Sequence, residues 1–311
     1  MSPGDRAEGM ARLRRAVARI EAEAGSASVR LAGQRAARRL PLTRALDAAL
    51  GGGLADDGLH EIAPAEPQDG AAAMGFALAL AARVLGRRPA SALLIGEGFA
   101  AEESGALYGP GLIAHGLPLS RLVFVNAPDA ALAFWAMEEA LKCGAPAAVV
   151  GEIWNLKRYG LAASRRLLLA ARKGRTPALL ILASAYGQAE RFSSAAETRF
   201  EIAAAPSVKA PAAAGRDLPG PFACGARLVK ARLGAFIDAV DDGVRDGRAF
   251  DRVGRDQRSR LQAHDAKRVI RLEWRSQDNQ FEELAFGDPA ISLPVAAAAG
   301  DGPRAASPWR R

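Results

Sequence analysis

Two acidic residues end strand-like runs, Glu97 after the apolar stretch 92–97 and Glu152 after 147–152. From the carboxyl ends of strands in an α/β protein such groups can activate water or hold magnesium, provided a phosphate cradle lies beside them. Without one they are strand-end polar groups or contact residues. The pairs Glu102-Glu103 and Glu138-Glu139 fall on helical stretches, where solvation is the default. No Ser-His-Asp set is visible. His60, His115 and His264 lie far apart, and so do Cys143 and Cys224, which are not in CxxC spacing. A zinc site needs about four clustered ligands, so no metal is expected and the thiols are expected to be free, as in the cytosol. The basic residues offer a different chemistry. Arg227, Lys230 and Arg232 alternate along a strand-like run, and with Arg268, Arg271 and Arg275 they could form a platform for nucleic acid. Trp274 and Phe281 nearby would suit stacking of single-stranded bases, although a Trp in such a run is more often core. The candidate DNA contacts are therefore Arg227, Lys230, Arg232 and Arg271. The stretch 156–174 carries Lys157, Arg158, Arg165, Arg166, Arg172 and Lys173, which fits a solvated helix face better than a DNA-binding one.

The elements that must position these residues follow from hydrophobic patterning. The chain has 311 residues, half of them hydrophobic, and a net charge of +8. That is enough for one large α/β domain with appendages. The charge suits nucleic acid or an acidic partner, though an arginine-rich composition alone also raises the pI. No apolar run approaches the length of a membrane span, and the N-terminal arginines lack the apolar region of a signal peptide, so a cytoplasmic protein is expected. From 42 to 206 strand and helix patterns alternate. Strands are expected at Gly58–Ile62, Ala92–Glu97, Leu122–Asn126, Ala147–Glu152, Ala178–Ala185 and Thr198–Ala204. Helices are expected at Ala71–Gly86, Glu102–His115 (with a break at Gly109-Pro110), Asp129–Cys143 (with Asp129 as cap) and Leu156–Gly174. Runs such as Leu93-Leu94-Ile95 and Leu179-Leu180-Ile181-Leu182 are continuously apolar, which indicates parallel strands covered on both faces, a doubly wound sheet.

Appendages flank this core. Residues 1–41 hold an amphipathic, Arg-rich helix (6–24) and a linker. Met10, Leu13, Val17 and Ile20 form one apolar stripe that must pack on the body or on a partner. Residues 207–293 carry further strands at Arg227–Arg232 and Lys267–Glu273 around a charged insertion, 238–265. The Ala/Gly/Pro-rich tail 294–311 is expected to be disordered when free and ends in Trp309-Arg310-Arg311, a candidate docking peptide with one aromatic anchor and two charges.

The most informative segment is Leu46-Asp47-Ala48-Ala49-Leu50-Gly51-Gly52-Gly53, followed by Gly58-Leu59-His60-Glu61-Ile62 and a turn into the helix at 71. Its order and spacing resemble the RecA-type recombinase core, where the phosphate-binding loop Gly-x-x-x-x-Gly-Lys-Ser/Thr comes next. The resemblance implies an α/β, doubly wound, mostly parallel sheet of the RecA or P-loop NTPase type. Here the loop has degenerated to Ala65-Glu66-Pro67-Gln68-Asp69-Gly70-Ala71-Ala72. Ala65 replaces the first glycine, Ala71 the lysine that neutralises phosphate, and Ala72 the hydroxyl that binds magnesium. Pro67 removes one N–H donor, and Glu66 and Asp69 bring negative charge. Each lost charge-assisted bond is worth roughly 1.5–3 kcal/mol, and two unpaired carboxylates would add repulsion, so no cofactor and no catalysis are expected.

A RecA-like core without the loop lysine, an Arg-rich N-terminal helix and a short basic C-terminal extension together resemble the ImuA family, sometimes labelled SulA-like. Glu97-Gly98, the Trp135/Glu138/Glu139 helix, Glu152-Ile153-Trp154 and Thr198-Arg199-Phe200-Glu201-Ile202 add to the match, whereas 238–265 fits it poorly. The resemblance implies a RecA-related accessory protein of damage-induced mutagenesis. Its implied partners are an ImuB-like Y-family polymerase homologue, an error-prone replicative-type polymerase and, as a further candidate, RecA. Two rival functions are a divergent RecA-type ATPase in DNA repair and a division inhibitor of the septal ring. No residue supports the second beyond the family label.

Overall fold

The computed structural model describes residues 39–98, 105–207, 220–232 and 269–284. The docking elements expected at Met10, Leu13, Val17 and Ile20 and at Trp309, Arg310 and Arg311 lie outside these residues, as does the charged stretch 238–265.

Strand β1 (Arg39–Leu40) pairs antiparallel with β2 (Leu54–Ala55), bracketing helix α1 (Arg44–Leu50). Thr43 caps α1 by accepting from the Leu46 N–H, and Gly51, at φ 66°, ends it in the left-handed conformation that favours glycine. The remaining strands build one sheet. They are β3 (Leu59–Pro64), β4 (Ala92–Glu97), β5 (Leu122–Ala127), β6 (Ala148–Ile153), β7 (Ala178–Leu182), β8 (Thr198–Ala204), β9 (Ala223–Ala231), β10 (Val269–Arg275) and β11 (Gln280–Glu283). Among the described residues the sheet has nine strands in the order β11-β10-β9-β8-β3-β7-β6-β4-β5. From β8 to β5 every pairing is parallel, and β9, β10 and β11 extend the sheet antiparallel. The chain is thus α/β with a mostly parallel sheet, compatible with the doubly wound arrangement.

Alternation along the strands explains the unbroken apolar runs. Leu94 and Val150 face a core built with α1, α2 (Gly70–Leu85) and the aromatic rings of Phe76, Phe200, Trp274 and Phe281. Their neighbours Ile95 and Val149 face a second core with α4 (Ala130–Cys143) and α5 (Leu161–Gly174). Asp129 caps α4 as expected, accepting from the Leu132 N–H at 2.9 Å. α4 and α5 approach closely at their C-terminal ends. A Cβ on Gly174 would sit 1.7 Å from the Leu141 carbonyl oxygen, a backbone atom that cannot swing away. Gly174→Ala is therefore expected to destabilise the protein by about 3 kcal/mol, the upper part of the usual overpacking range, as a lowered urea midpoint with unchanged slope.

Two helices differ from expectation. Of the helix expected over 102–115, the described part, from 105 on, forms only α3 (Gly109–Ala114), and residues 105–108 are not helical. Pro110 starts this helix where the missing N–H does no harm, so it is an initiator and not a mid-helix break. The basic stretch 156–174 is not one helix either. A short 3-10 turn, Leu156–Arg158, is followed by extended Tyr159 and Gly160 before α5 begins. The break turns Tyr159 inward onto the Glu61 carboxylate. Helix α1 and strand β11 were not anticipated by the periodicity, both being short.

Candidate functional site

The loop after β3 is the place to look for a nucleotide site, because it leads from an inner strand of the sheet into the N-terminus of α2. Its backbone is committed to the protein itself. The Ala65 N–H donates to the Ile202 carbonyl at 2.8 Å, and the Ala65 carbonyl accepts from the Gly187 N–H at 3.0 Å. A 3-10 turn, Pro67–Asp69, then runs directly into α2 at Gly70. Asp69 is buried, and its carboxylate accepts from the Glu66 N–H at 3.0 Å and from the Ala204 N–H at 2.8 Å. The expectation of two unpaired carboxylates is thereby corrected. Only Glu66 is exposed, while Asp69 is held by two backbone donors beside a helix N-terminus, where the dipole favours a negative charge. In a phosphate-binding loop the N–H groups point at the ligand. Here an internal acid takes one of them and ties the loop to β8. Ala71, at the lysine position, is exposed, and Ala72, at the hydroxyl position, is packed into the core.

The two strand-end acids are also engaged. Glu97 is buried and its Oε2 accepts from the Trp154 N–H at 2.6 Å and the Asn155 N–H at 2.9 Å. Glu152 Oε1 accepts from the Trp154 indole N–H at 3.3 Å. Burial pushes the Glu152 carboxyl above the usual carboxylate range, and the charge of Glu97 adds to this. Ser184 Oγ donates to the Trp154 carbonyl at 2.6 Å. These contacts fasten the segment after β6 across the carboxyl ends of β4 and β7. Both acids serve the fold in this arrangement.

A third cluster escaped the sequence reading. In the parallel register of β3 and β8, Glu61 stands beside Arg199. Both are fully buried, and Arg199 Nε donates to Glu61 Oε2 at 2.5 Å. The rest of the guanidinium is satisfied by the carbonyls of Ala189 (2.6 Å) and Phe192 (2.9 Å) and by Ser194 Oγ (2.9 Å). The other Glu61 oxygen accepts from the Tyr159 hydroxyl. Burial, then the charge of Glu61, pushes that hydroxyl well above the usual phenol range, so it keeps its proton. One residue earlier on β3, and so on its other face, His60 bonds Thr198 Oγ1 at 2.8 Å and the Ala55 carbonyl at 2.7 Å, and burial lowers its pKa. The only signal in the sequence was two charged residues, Glu61 and Arg199, inside runs that otherwise bury.

The candidate DNA contacts are brought onto one face in part. Arg199 pairs with Lys230 but Phe200 pairs with Leu228, so Val229 is an extra residue, and this bulge turns Lys230 to the face of Arg227. Both side chains have internal partners there. Arg227 holds Glu201 at 2.9 Å and Glu190 at 2.7 Å, and Lys230 Nζ donates to the Ser194 carbonyl at 2.6 Å. Arg271 donates to the Pro206 carbonyl. Arg232 is exposed at the end of β9. The stacking platform is corrected: Trp274 and Phe281 are buried against Phe76 on the α2 side of the sheet, where no base can reach them.

Among the described residues there is no cluster of metal-ligating side chains, and no helix is long and apolar enough to cross a membrane. Cys143 is exposed, Cys224 is buried, and both are free thiols. No family model matches the chain, and no curated protein does. Among solved structures, the crystal structure of SulA from Pseudomonas aeruginosa is similar over 40% of this chain and 96% of that one, at 24% identity and a TM-score of 0.32. A likeness of that depth carries no argument about what this chain does.

Proposed function

We propose that the chain is a non-catalytic adaptor with a RecA-type core, acting as ImuA-like proteins do in damage-induced, error-prone translesion synthesis. It would dock onto a Y-family polymerase-like partner, onto RecA, or onto both. The observation that carries the non-catalytic part is the loop after β3, in which Asp69 takes the Glu66 N–H and alanines stand at the lysine and hydroxyl positions. The RecA and P-loop assignment belongs to the same proposal. It is supported by the loop's position between β3 and α2 and by the Gly51-Gly52-Gly53 segment that leads into β2 and β3. The partners rest on the family resemblance in the sequence.

Titration with a fluorescent ATP analogue and magnesium is expected to show no saturable binding. Micromolar, magnesium-dependent affinity would favour a divergent ATPase. At physiological salt, a pull-down with the full chain is expected to recover a polymerase-like partner or RecA, and recovery of neither would count against the adaptor role. A deletion strain should lose damage-induced mutations; unchanged mutation with reduced recombination would point to repair instead.

A further inference from the structure

Among the described residues the two edges of the nine-stranded sheet are treated differently. At one edge β11 is four residues long and acidic. Glu282 pairs with Arg275, and Glu283 accepts from the Ala45 N–H at 2.6 Å. Short, charged edges of this kind discourage pairing with another chain. At the other edge β5 reads Leu-Val-Phe-Val-Asn-Ala over 122–127, with no charge, no proline and no bulge in its register with β4. Charges at its flanks are turned away. The Arg121 guanidinium folds back onto the carbonyls of Leu85, Arg88 and Ala90, and Asp129 caps α4. Successive side chains point to opposite faces of the strand, yet Val123 is 46% exposed and Phe124 is 53% exposed. The chain entering β5 also exposes Ile113 and Leu119, and the helix leaving it exposes Leu132 and Trp135.

We propose that β5 is a dimerisation edge on which a second copy of this chain pairs, β5 against β5, about a twofold axis. Two copies related in this way must run antiparallel, which is the more stable ladder, and a neutral apolar strand meets its own image without like-charge repulsion. The six exposed side chains named above offer apolar area of the same order as the ~800 Å² that each side of a standard interface buries. A heterologous peptide could add to the same edge, but β5 carries no charge that would select one. This inference does not depend on the adaptor reading.

Sedimentation equilibrium of the full chain tests it, together with single cysteines placed at 122–126 in a Cys143→Ser background. The expected results are a reversible dimer, weakened roughly a hundredfold by Phe124→Lys because the interface would have to desolvate a charge, with an unchanged circular dichroism spectrum. Disulfide cross-linking should peak at the one or two positions nearest the axis, since only residues with Cα atoms within about 7 Å can be bridged. A monomer at every concentration would overturn the proposal. So would a dimer in which no β5 cysteine cross-links. If that dimer were instead abolished by Leu13→Asp, the N-terminal apolar stripe would be the occupant.

Discussion

Replacing Arg199 by Met is expected to destabilise the fold by about 3–5 kcal/mol, the usual consequence of stranding one member of a buried ion pair. The substitution keeps most of the apolar volume but removes the donors that Arg199 gives to the 189–194 segment, leaving Lys230 on Ser194 and Arg227 on Glu190 from β9. The carbonyls of Ala189 and Phe192 lose the guanidinium, the Ser194 hydroxyl keeps its longer contacts with Lys230 and the Ala196 N–H, and of its two side-chain donors Glu61 keeps the Tyr159 hydroxyl. Burial lowers the Lys230 pKa while the Glu61 charge pulls it back up, so Lys230 is the nearby cation that can offset part of the loss. The double replacement Glu61→Leu with Arg199→Met should cost less than Arg199→Met alone, because no buried charge is left unpaired. A double-mutant cycle by urea unfolding measures this coupling. Equal losses in the single and double variants would mean that the pair is not what holds the segment.

That ion pair marks the boundary of what the residues disclosed in advance. Helices and strands with strong local signatures were legible. The unbroken apolar runs at 93–95 and 179–182 required a sheet covered on both faces, and Asp129 after Pro128 placed the start of α4. What could not be read was set by contacts between distant segments. Tyr159 looks like a helix interior until Glu61, 98 positions earlier, is placed beneath it. Asp69 looks like an exposed loop acid until β8 brings up the Ala204 N–H, 135 positions later. The spacing of Arg227, Lys230 and Arg232 suggested a strand on which two or more of them share one face, and the bulge at Val229 decides that Arg227 and Lys230 do. Helix α1 is seven residues long, too short for periodicity to announce, and its cap at Thr43 was the available clue.

The loop supplies the second large effect, because two obstacles to nucleotide binding can be separated. Restoring the missing groups with Ala65→Gly, Ala71→Lys and Ala72→Thr adds back a cation and a hydroxyl. Charge-assisted bonds of roughly 1.5–3 kcal/mol each would raise ATP affinity about a hundredfold or more if the loop could present its donors. In this fold the triple variant is expected to gain little. The Asp69 carboxylate still accepts from the Glu66 N–H and keeps its negative charge at the mouth of α2, so an incoming phosphate meets repulsion and one donor fewer. Adding Asp69→Gly frees that N–H, removes the charge and loosens the tie to Ala204, and the gain should then emerge. Fluorescent-analogue titration of the triple and quadruple variants, with urea unfolding to follow the stability lost with the Asp69 contacts, separates the two causes. If the triple variant alone binds, the missing lysine and hydroxyl are the whole reason the loop fails, and Asp69 is a structural tether with no part in excluding nucleotide.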